Sequence, residues 1–89
     1  MSAEIDEIFN FPCEFPIKVM GLAQDDFDIL VVSIVRQHCQ DLMENAVKMR
    51  ASQGGKYVSV TVTIIAHSRA QLDALYSELN RHERVLMTL

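Results

Sequence analysis

The sequence predicts a single α+β domain whose secondary-structure elements follow the order β-α-β-β-α-β. Apolar and polar residues alternate along 15–21, 46–52 and 57–66, which is typical of strands with one buried face. A shorter apolar segment at 85–89 completes the set of four strands. Two other stretches, from Phe27 to about residue 39 and from Ser68 to about residue 82, repeat their apolar residues at helical spacing.

Each of the first three strands has one apolar and one polar face. The apolar faces consist of Phe15, Ile17 and Val19, then Val47, Met49 and Ala51, then Val58, Val60, Val62 and Ile64. The opposite faces consist of Lys18 and Met20, then Ala46, Lys48 and Arg50, then Tyr57, Ser59, Thr61 and Thr63. Gln53-Gly54-Gly55-Lys56 indicates a hairpin between the second and third strands, because glycine readily adopts positive φ angles.

Apolar faces that all point one way require both helices on a single side of a four-stranded antiparallel sheet. Right-handed crossovers then give the strand order 4-1-3-2, and the result is a ferredoxin-like sandwich. Its other side, the open sheet face, is left to solvent or to a partner. We predict that Lys18, Lys48, Arg50, Tyr57, Ser59, Thr61 and Thr63 share this open sheet face.

The sequence also predicts how the two helices begin and how the N-terminal residues are arranged. Asp25 and Asp26 offer oxygen acceptors and negative charge to the N-terminus of the first helix, and this turn is predicted to serve capping. Ser68 and Gln71 match a capping box at the start of the second helix. Residues 1–13 lack periodicity and are interpreted as an N-terminal arm that packs over the domain through Ile8, Phe9 and Phe11.

Composition limits the function classes. The chain has 89 residues, a net charge of −4 and no apolar run long enough for a membrane span, so we expect one soluble cytoplasmic domain, 1–89. The negative charge disfavours nucleic acid as a ligand. Cys13 and Cys39 are expected to be reduced thiols rather than a structural disulfide.

The sequence lacks the residue patterns of several catalytic and metal-binding sites. The turn at 21–24 contains neither the paired thiols of a metal carrier nor the arginine of an acylphosphatase. The potential soft metal ligands are scattered along the chain: Cys13, His38, Cys39, His67 and His82. No spacing suggests a Ser-His-Asp triad, so we expect no enzyme, no cofactor and no metal.

Two places remain where a ligand or a partner could bind. The first is the turn after the first strand, with Gly21, Leu22 and Gln24, where free N–H groups at a helix N-terminus can hold a small ligand. The second is the open sheet face, represented by Lys48, Arg50 and Tyr57. An RNA-recognition domain uses such a face, but it stacks bases on several aromatic side chains, and here Tyr57 is the one aromatic residue predicted there.

Four segments of the chain carry distinctive motifs: FNFPCEFPIKVMG at 9–21, GKYVSVTVT at 55–63, SRAQLDALY at 68–76 and VLM at 85–87. Together they resemble the YbeD family of small bacterial proteins, over nearly the whole chain. The resemblance implies a fold like that of ACT regulatory domains, which bind small effectors such as amino acids at dimer interfaces, and for some members a link to lipoate attachment. Gly21 matches the glycine that ends the first strand in the ACT pattern.

Residues and resemblance together give one leading hypothesis. The chain is predicted to be a non-enzymatic regulatory or adaptor domain, a homodimer, that binds a protein partner or a small metabolite near the first strand-to-helix turn and the sheet edge. The alternative is an RNA-binding module that uses the open sheet face.

Overall fold

The computed structural model describes residues 11–24, 26–40 and 42–89, and for 43–45 the backbone alone. The elements in chain order are β1 (Cys13–Leu22), α1 (Phe27–His38), β2 (Leu42–Ala51), β3 (Tyr57–Ala66), α2 (Arg69–Arg81) and β4 (Val85–Thr88). The four strands form one antiparallel sheet in the order β2-β3-β1-β4, which confirms the predicted topology.

The core lies between one face of this sheet and the two helices, as predicted. In β3 every second side chain is buried, and β1 alternates in the same way, with Cys13 and Phe15 half-buried and Ile17 and Val19 fully buried. The buried cluster combines Ile17 and Val19 of β1, Val58, Val60, Val62 and Ile64 of β3, Phe27, Val31, Ile34 and Val35 of α1, and Leu72, Leu75 and Leu79 of α2. Burial of these apolar side chains is the main stabilising contribution to the fold.

Strand β2 begins at Leu42, earlier than the predicted start at residue 46. Leu42 pairs with Ile64 but Val47 pairs with Val62, so the segment between them is longer on β2 than on β3. Such a bulge breaks the alternation on which a sequence-based prediction relies. Residues 42–45, which precede the predicted start, are therefore part of β2.

The predicted N-terminal arm, 1–13, is described only from Phe11 onward, and its first ten positions lie outside the described residues. Phe11 is half-buried and packs against the core. Cys13 is already part of β1, where it pairs with Ala66. The first strand therefore begins two residues earlier than the predicted start at Phe15.

The two helix N-termini differ from each other. In α2 the Ser68 hydroxyl accepts a hydrogen bond from the Gln71 backbone N–H at 3.1 Å, and the Gln71 side chain accepts one from the His67 N–H at 2.7 Å, which confirms the capping box. In α1 the N-cap residue is Asp26, with a left-handed φ of 68° and no side-chain capping bond. The predicted capping role is therefore wrong for Asp26, because this backbone conformation does not present the carboxylate to the first turn. Asp25 lies outside the described residues.

The two helices are tied together near the C-terminus of α1. His38 Nε2 lies 2.6 Å from Glu78 Oε1, and the Gln71 side-chain amide donates to the His38 carbonyl at 2.9 Å. Neither Cys13 nor Cys39 forms a disulfide within the described residues, and the buried Cys39 thiol donates a hydrogen bond to the Ile65 carbonyl at 3.5 Å. The two contacts made by His38 hold α1 against α2 on the core side of the sheet. Neither helix covers the opposite side.

Candidate functional site

The open sheet face is formed by rows of side chains that run across three strands. Strand register places Lys18 of β1 opposite Thr61 of β3, and Thr61 opposite Lys48 of β2. The next row consists of Met20, Ser59 and Arg50, and Leu22 then lies opposite Tyr57. Because directly opposite residues share a face, the predicted grouping of cations and hydroxyls on this side is confirmed.

A shallow cleft of about 180 Å³ lies at one corner of the open sheet face. Its polar lining consists of Lys18, Arg50, Ser52, Tyr57 and Ser59, and Met20 contributes an apolar wall. The Lys56 ammonium lies 5.5 Å from the centre of the Tyr57 ring and adds a further positive charge at the hairpin. The Ser52 hydroxyl accepts a hydrogen bond from the Tyr57 N–H at 3.0 Å, which holds the end of the hairpin closed.

A second cleft, of about 260 Å³, lies where β1 ends and β4 begins. It is lined by Leu22, Gln24, Glu83, Arg84 and Leu86. The Arg84 guanidinium lies 5.7 Å from the centre of the Phe27 ring, so it packs against the first turn of α1. Since Leu22 is opposite Tyr57, the two clefts lie at the same end of the sheet.

The predicted site residues do not all line the same cleft. Arg50 and Tyr57 line the first cleft, Leu22 and Gln24 line the second, and Lys48 lies on the open sheet face one row away. Gly21 is buried and lines neither cleft. A Cβ at this position would come within 2.5 Å of the Phe27 ring and 2.7 Å of the Arg84 carbonyl, so Gly21 allows the chain segments behind the clefts to pack closely.

The half of the open sheet face that sequence reasoning missed is apolar. Met87 of β4 pairs with Met20, and Leu89 exchanges backbone hydrogen bonds with Lys18 at 2.8 and 3.3 Å, so both side chains lie on this face. They are 51% and 62% exposed. The alternation of Met87 and Leu89 within 85–89 is the signal that could have revealed this half.

No three His, Cys, Asp or Glu side chains come together in a metal-binding group within the part of the chain that the structure describes. His67 and His82 both lie at the ends of α2. The His82 Nδ1 accepts a hydrogen bond from the Arg84 N–H at 3.2 Å, and this contact shapes the turn before β4.

The sequence of this chain matches a family of known proteins. The family described as a protein of unknown function, DUF493, matches residues 6–89. The chain belongs to the DUF493 family. A UPF0250 protein of Chromobacterium violaceum is 46% identical over 89 residues and is covered completely, as is this chain. A UPF0250 protein of Nitrosomonas europaea is 43% identical over 84 residues, which cover 94% of this chain and 97% of that protein.

These findings confirm the resemblance seen in the sequence, because the YbeD family is the same family as DUF493 and UPF0250. None of these names denotes an enzymatic activity, and the family is uncharacterised. The solution structure of HP0495 from Helicobacter pylori superimposes with a TM-score of 0.69 at 15% identity, over 91% of this chain and 85% of that one. At this identity the likeness concerns the fold, which is the expected βαββαβ arrangement.

Neither α1 nor α2, the helices of the described ranges, is long and apolar enough to cross a membrane.

Proposed function

We propose that this protein is a non-enzymatic regulatory or adaptor domain of the cytoplasm, which binds an acidic and partly apolar segment of a protein partner on its open sheet face. The observation that carries this proposal is the concentration of positive charge on the open sheet face of a chain whose net charge is −4. Lys18, Lys48 and Arg50 lie there in two adjacent rows, and Lys56 follows at the hairpin.

Among the side chains that the structure describes near these cations, carboxylates are few. Glu14 is the one carboxylate among the side chains that the structure describes on the strands of the open sheet face, and it lies opposite Ile65. Glu14 precedes Lys18 by four residues, which corresponds to about 13 Å along a strand. We call the group of Lys18, Lys48, Arg50 and Lys56 the cationic corner. A partner that carries Asp or Glu side chains would meet mainly attractive charges there, and complementary charge speeds encounter and fixes orientation.

The apolar half of the same face defines the partner further. Met20, Met87 and Leu89 form a patch beside the cations, and Leu22 is also exposed. Methionine side chains adapt to differently shaped apolar partners. A peptide segment with both acidic and apolar side chains matches these two halves together, whereas a purely ionic ligand would use one of them.

A small acidic metabolite is the second ligand class for this surface, and lipoate is the one that the sequence resemblance suggests. The cationic cleft would hold its carboxylate through Lys18 or Arg50 and its chain against Met20. At about 180 Å³ the cleft is smaller than the roughly 300 Å³ at which small-molecule pockets usually begin. The size of the cleft therefore favours the extended protein partner.

RNA is less well supported by this face. The central strands carry Ser59, Thr61 and Thr63 where base-stacking aromatics are needed, and the Lys56 ammonium lies over the Tyr57 ring. RNA binding is therefore the less favoured alternative, and nuclease treatment distinguishes it from protein binding.

The proposal is tested by affinity capture from a lysate of the native cell, with wild-type protein and the Arg50→Glu variant immobilised side by side. We expect the wild type to retain an acidic protein that elutes with added salt, because salt screens exposed charge pairs. Arg50→Glu should retain much less of it.

Arg81→Glu is the matched control, because it changes the net charge equally at an exposed arginine on the helix side of the molecule. Equal capture by Arg50→Glu and Arg81→Glu would contradict the proposal, as would the absence of any salt-sensitive partner. Capture that nuclease abolishes would instead indicate RNA. Stabilisation by lipoate in a thermal-shift titration would indicate the small-metabolite class.

A further inference from the structure

An apolar groove lies between α1 and the edge strand β2, on the helix side of the sheet. Its volume is about 530 Å³, and it is lined by Asp28, Ile29, Val32, Ser33, Arg36 and Val47. The Ile29 side chain is 62% exposed and Val47 is 39% exposed. Met49, two residues beyond Val47 on the same strand face, is 54% exposed.

The groove exists because the helices do not extend over the edge of the sheet. Val47 and Met49 pair with Val62 and Val60, so they lie on the core side as the sequence predicts. Their partners on β3 are fully buried beneath the helices, whereas the β2 side chains are exposed. An exposed apolar surface beside an edge strand is typical of an interaction site, since such an edge otherwise invites unspecific association.

Two opposite charges mark the ends of the groove. Asp28 lies in the first turn of α1 and Arg36 lies in the last turn. The eight-residue separation corresponds to about 12 Å along the helix axis, with Ile29, Val32 and Ser33 between them. Neither Asp28 nor Arg36 forms an ion pair with any residue in the described ranges.

We propose that a second copy of this chain docks in the groove, with the two α1 helices antiparallel about a two-fold axis. The groove runs from a negative end through apolar side chains to a positive end, so its charge pattern is complementary to itself when reversed. Each Asp28 then faces Arg36 of the second copy, and Ile29 and Val32 pack at the centre. This self-complementarity identifies a second copy, rather than an unrelated helix, as the occupant.

A two-fold axis perpendicular to the sheet reverses α1 and β2 together, so it also brings the Val47 and Met49 edges of the two copies side by side. The interface uses the helix side of the molecule and leaves the open sheet face of each copy accessible. The dimer therefore goes beyond the proposed partner binding and does not depend on it.

The experiment is sedimentation equilibrium of the full chain at loading concentrations from about 1 µM to about 1 mM, which spans the affinities expected for a small interface. We expect a reversible monomer–dimer equilibrium. Each contact occurs twice in a two-fold interface, so Arg36→Asp turns two attractive pairs into two repulsive ones and should weaken the dimer about tenfold or more. The double swap Asp28→Arg/Arg36→Asp should restore the affinity.

Arg81→Asp is the control, because it places the same change in the last turn of α2, where the effect on the helix dipole is the same. Ile29→Ala, which keeps all charges, should also weaken the dimer. Thermal unfolding of each variant shows that it is folded at the temperature of the measurement. A monomeric wild type at about 1 mM, an unchanged affinity in both Arg36→Asp and Ile29→Ala, or a double swap no tighter than Arg36→Asp alone would overturn the proposal.

Discussion

At the end of β1, the backbone of Gly21 lies against the ring of Phe27 and the carbonyl oxygen of Arg84. An added Cβ would come within 2.5 Å of the ring and 2.7 Å of the oxygen, closer than van der Waals contact allows. We predict that Gly21→Ala lowers the free energy of unfolding by about 1–3 kcal/mol, the usual cost of overpacking. Chemical denaturation of both proteins measures this difference.

The Phe27→Leu substitution provides the control for this prediction, because it removes the ring atoms that the alanine would meet. The double variant Gly21→Ala/Phe27→Leu should lose less stability than the sum of the two single variants, since the two positions are in contact. Additive losses would show that Gly21 is required for another reason.

Tyr76 gives the fold a dependence on alkaline pH. Burial raises the pKa of the Tyr76 phenol above its usual 10.0, and the hydroxyl lies 3.3 Å from the Leu89 carbonyl oxygen, to which it donates. The ring also packs edge-on against Phe15, at 6.5 Å between ring centres. The folded state therefore favours the protonated phenol, and as the pH rises past 10 the unfolded chain loses this proton first.

Stability conferred by the Tyr76 proton should be fully present below pH 10 and should decline as the pH rises through the higher pKa of the folded state. We predict that Tyr76→Phe abolishes this part of the decline. The measurement is the free energy of unfolding of both proteins across alkaline pH, with Tyr57→Phe as the control for an exposed tyrosine. Parallel curves for the wild type and Tyr76→Phe would contradict the prediction.

At the scale of the elements, Gln71 connects α2 to α1. Its side chain accepts from the His67 N–H and donates to the His38 carbonyl, so one residue completes a cap and an interhelical contact. We predict that Gln71→Ala lowers the free energy of unfolding by about 1–3 kcal/mol, because it leaves both backbone groups without this partner. Gln37→Ala, on the exposed surface of α1, should change it by less than about 0.5 kcal/mol. Equal losses of stability for Gln71→Ala and Gln37→Ala in thermal unfolding would contradict this role of Gln71.

The elements differ in how far the sequence predicts them. Strands β1 and β3 alternate without interruption, and the Ser68 cap uses a local side-chain bond, so residue patterns suffice for both. The start of β2 escapes prediction because its bulge is defined only by pairing with β3. The left-handed Asp26 escapes for a similar reason, since composition favours a side-chain cap that the backbone does not form.

At the scale of the whole molecule, the cationic corner could be predicted and the rest of the surface could not. Alternation along each strand tells which of its side chains lie on the polar side, and so it places Lys48 and Arg50 of β2, and Tyr57 of β3, on the open sheet face. Which residues of different strands meet depends on register and on the bulges, as for Met20 and Met87. The groove beside Val47 is open because α1 does not extend over that part of β2. No local residue pattern predicts how far a helix extends over a sheet.

Amide chemical-shift mapping measures whether the open sheet face binds an acidic, partly apolar protein segment. The probe is a synthetic peptide of alternating Glu and Leu, titrated into isotope-labelled protein at low and at high salt. We predict shifts confined to the open sheet face, centred on Lys18, Arg50 and Tyr57 and including Met87, which shrink at high salt. Shifts centred on α1 and α2, or no shifts at low salt, would contradict the claim.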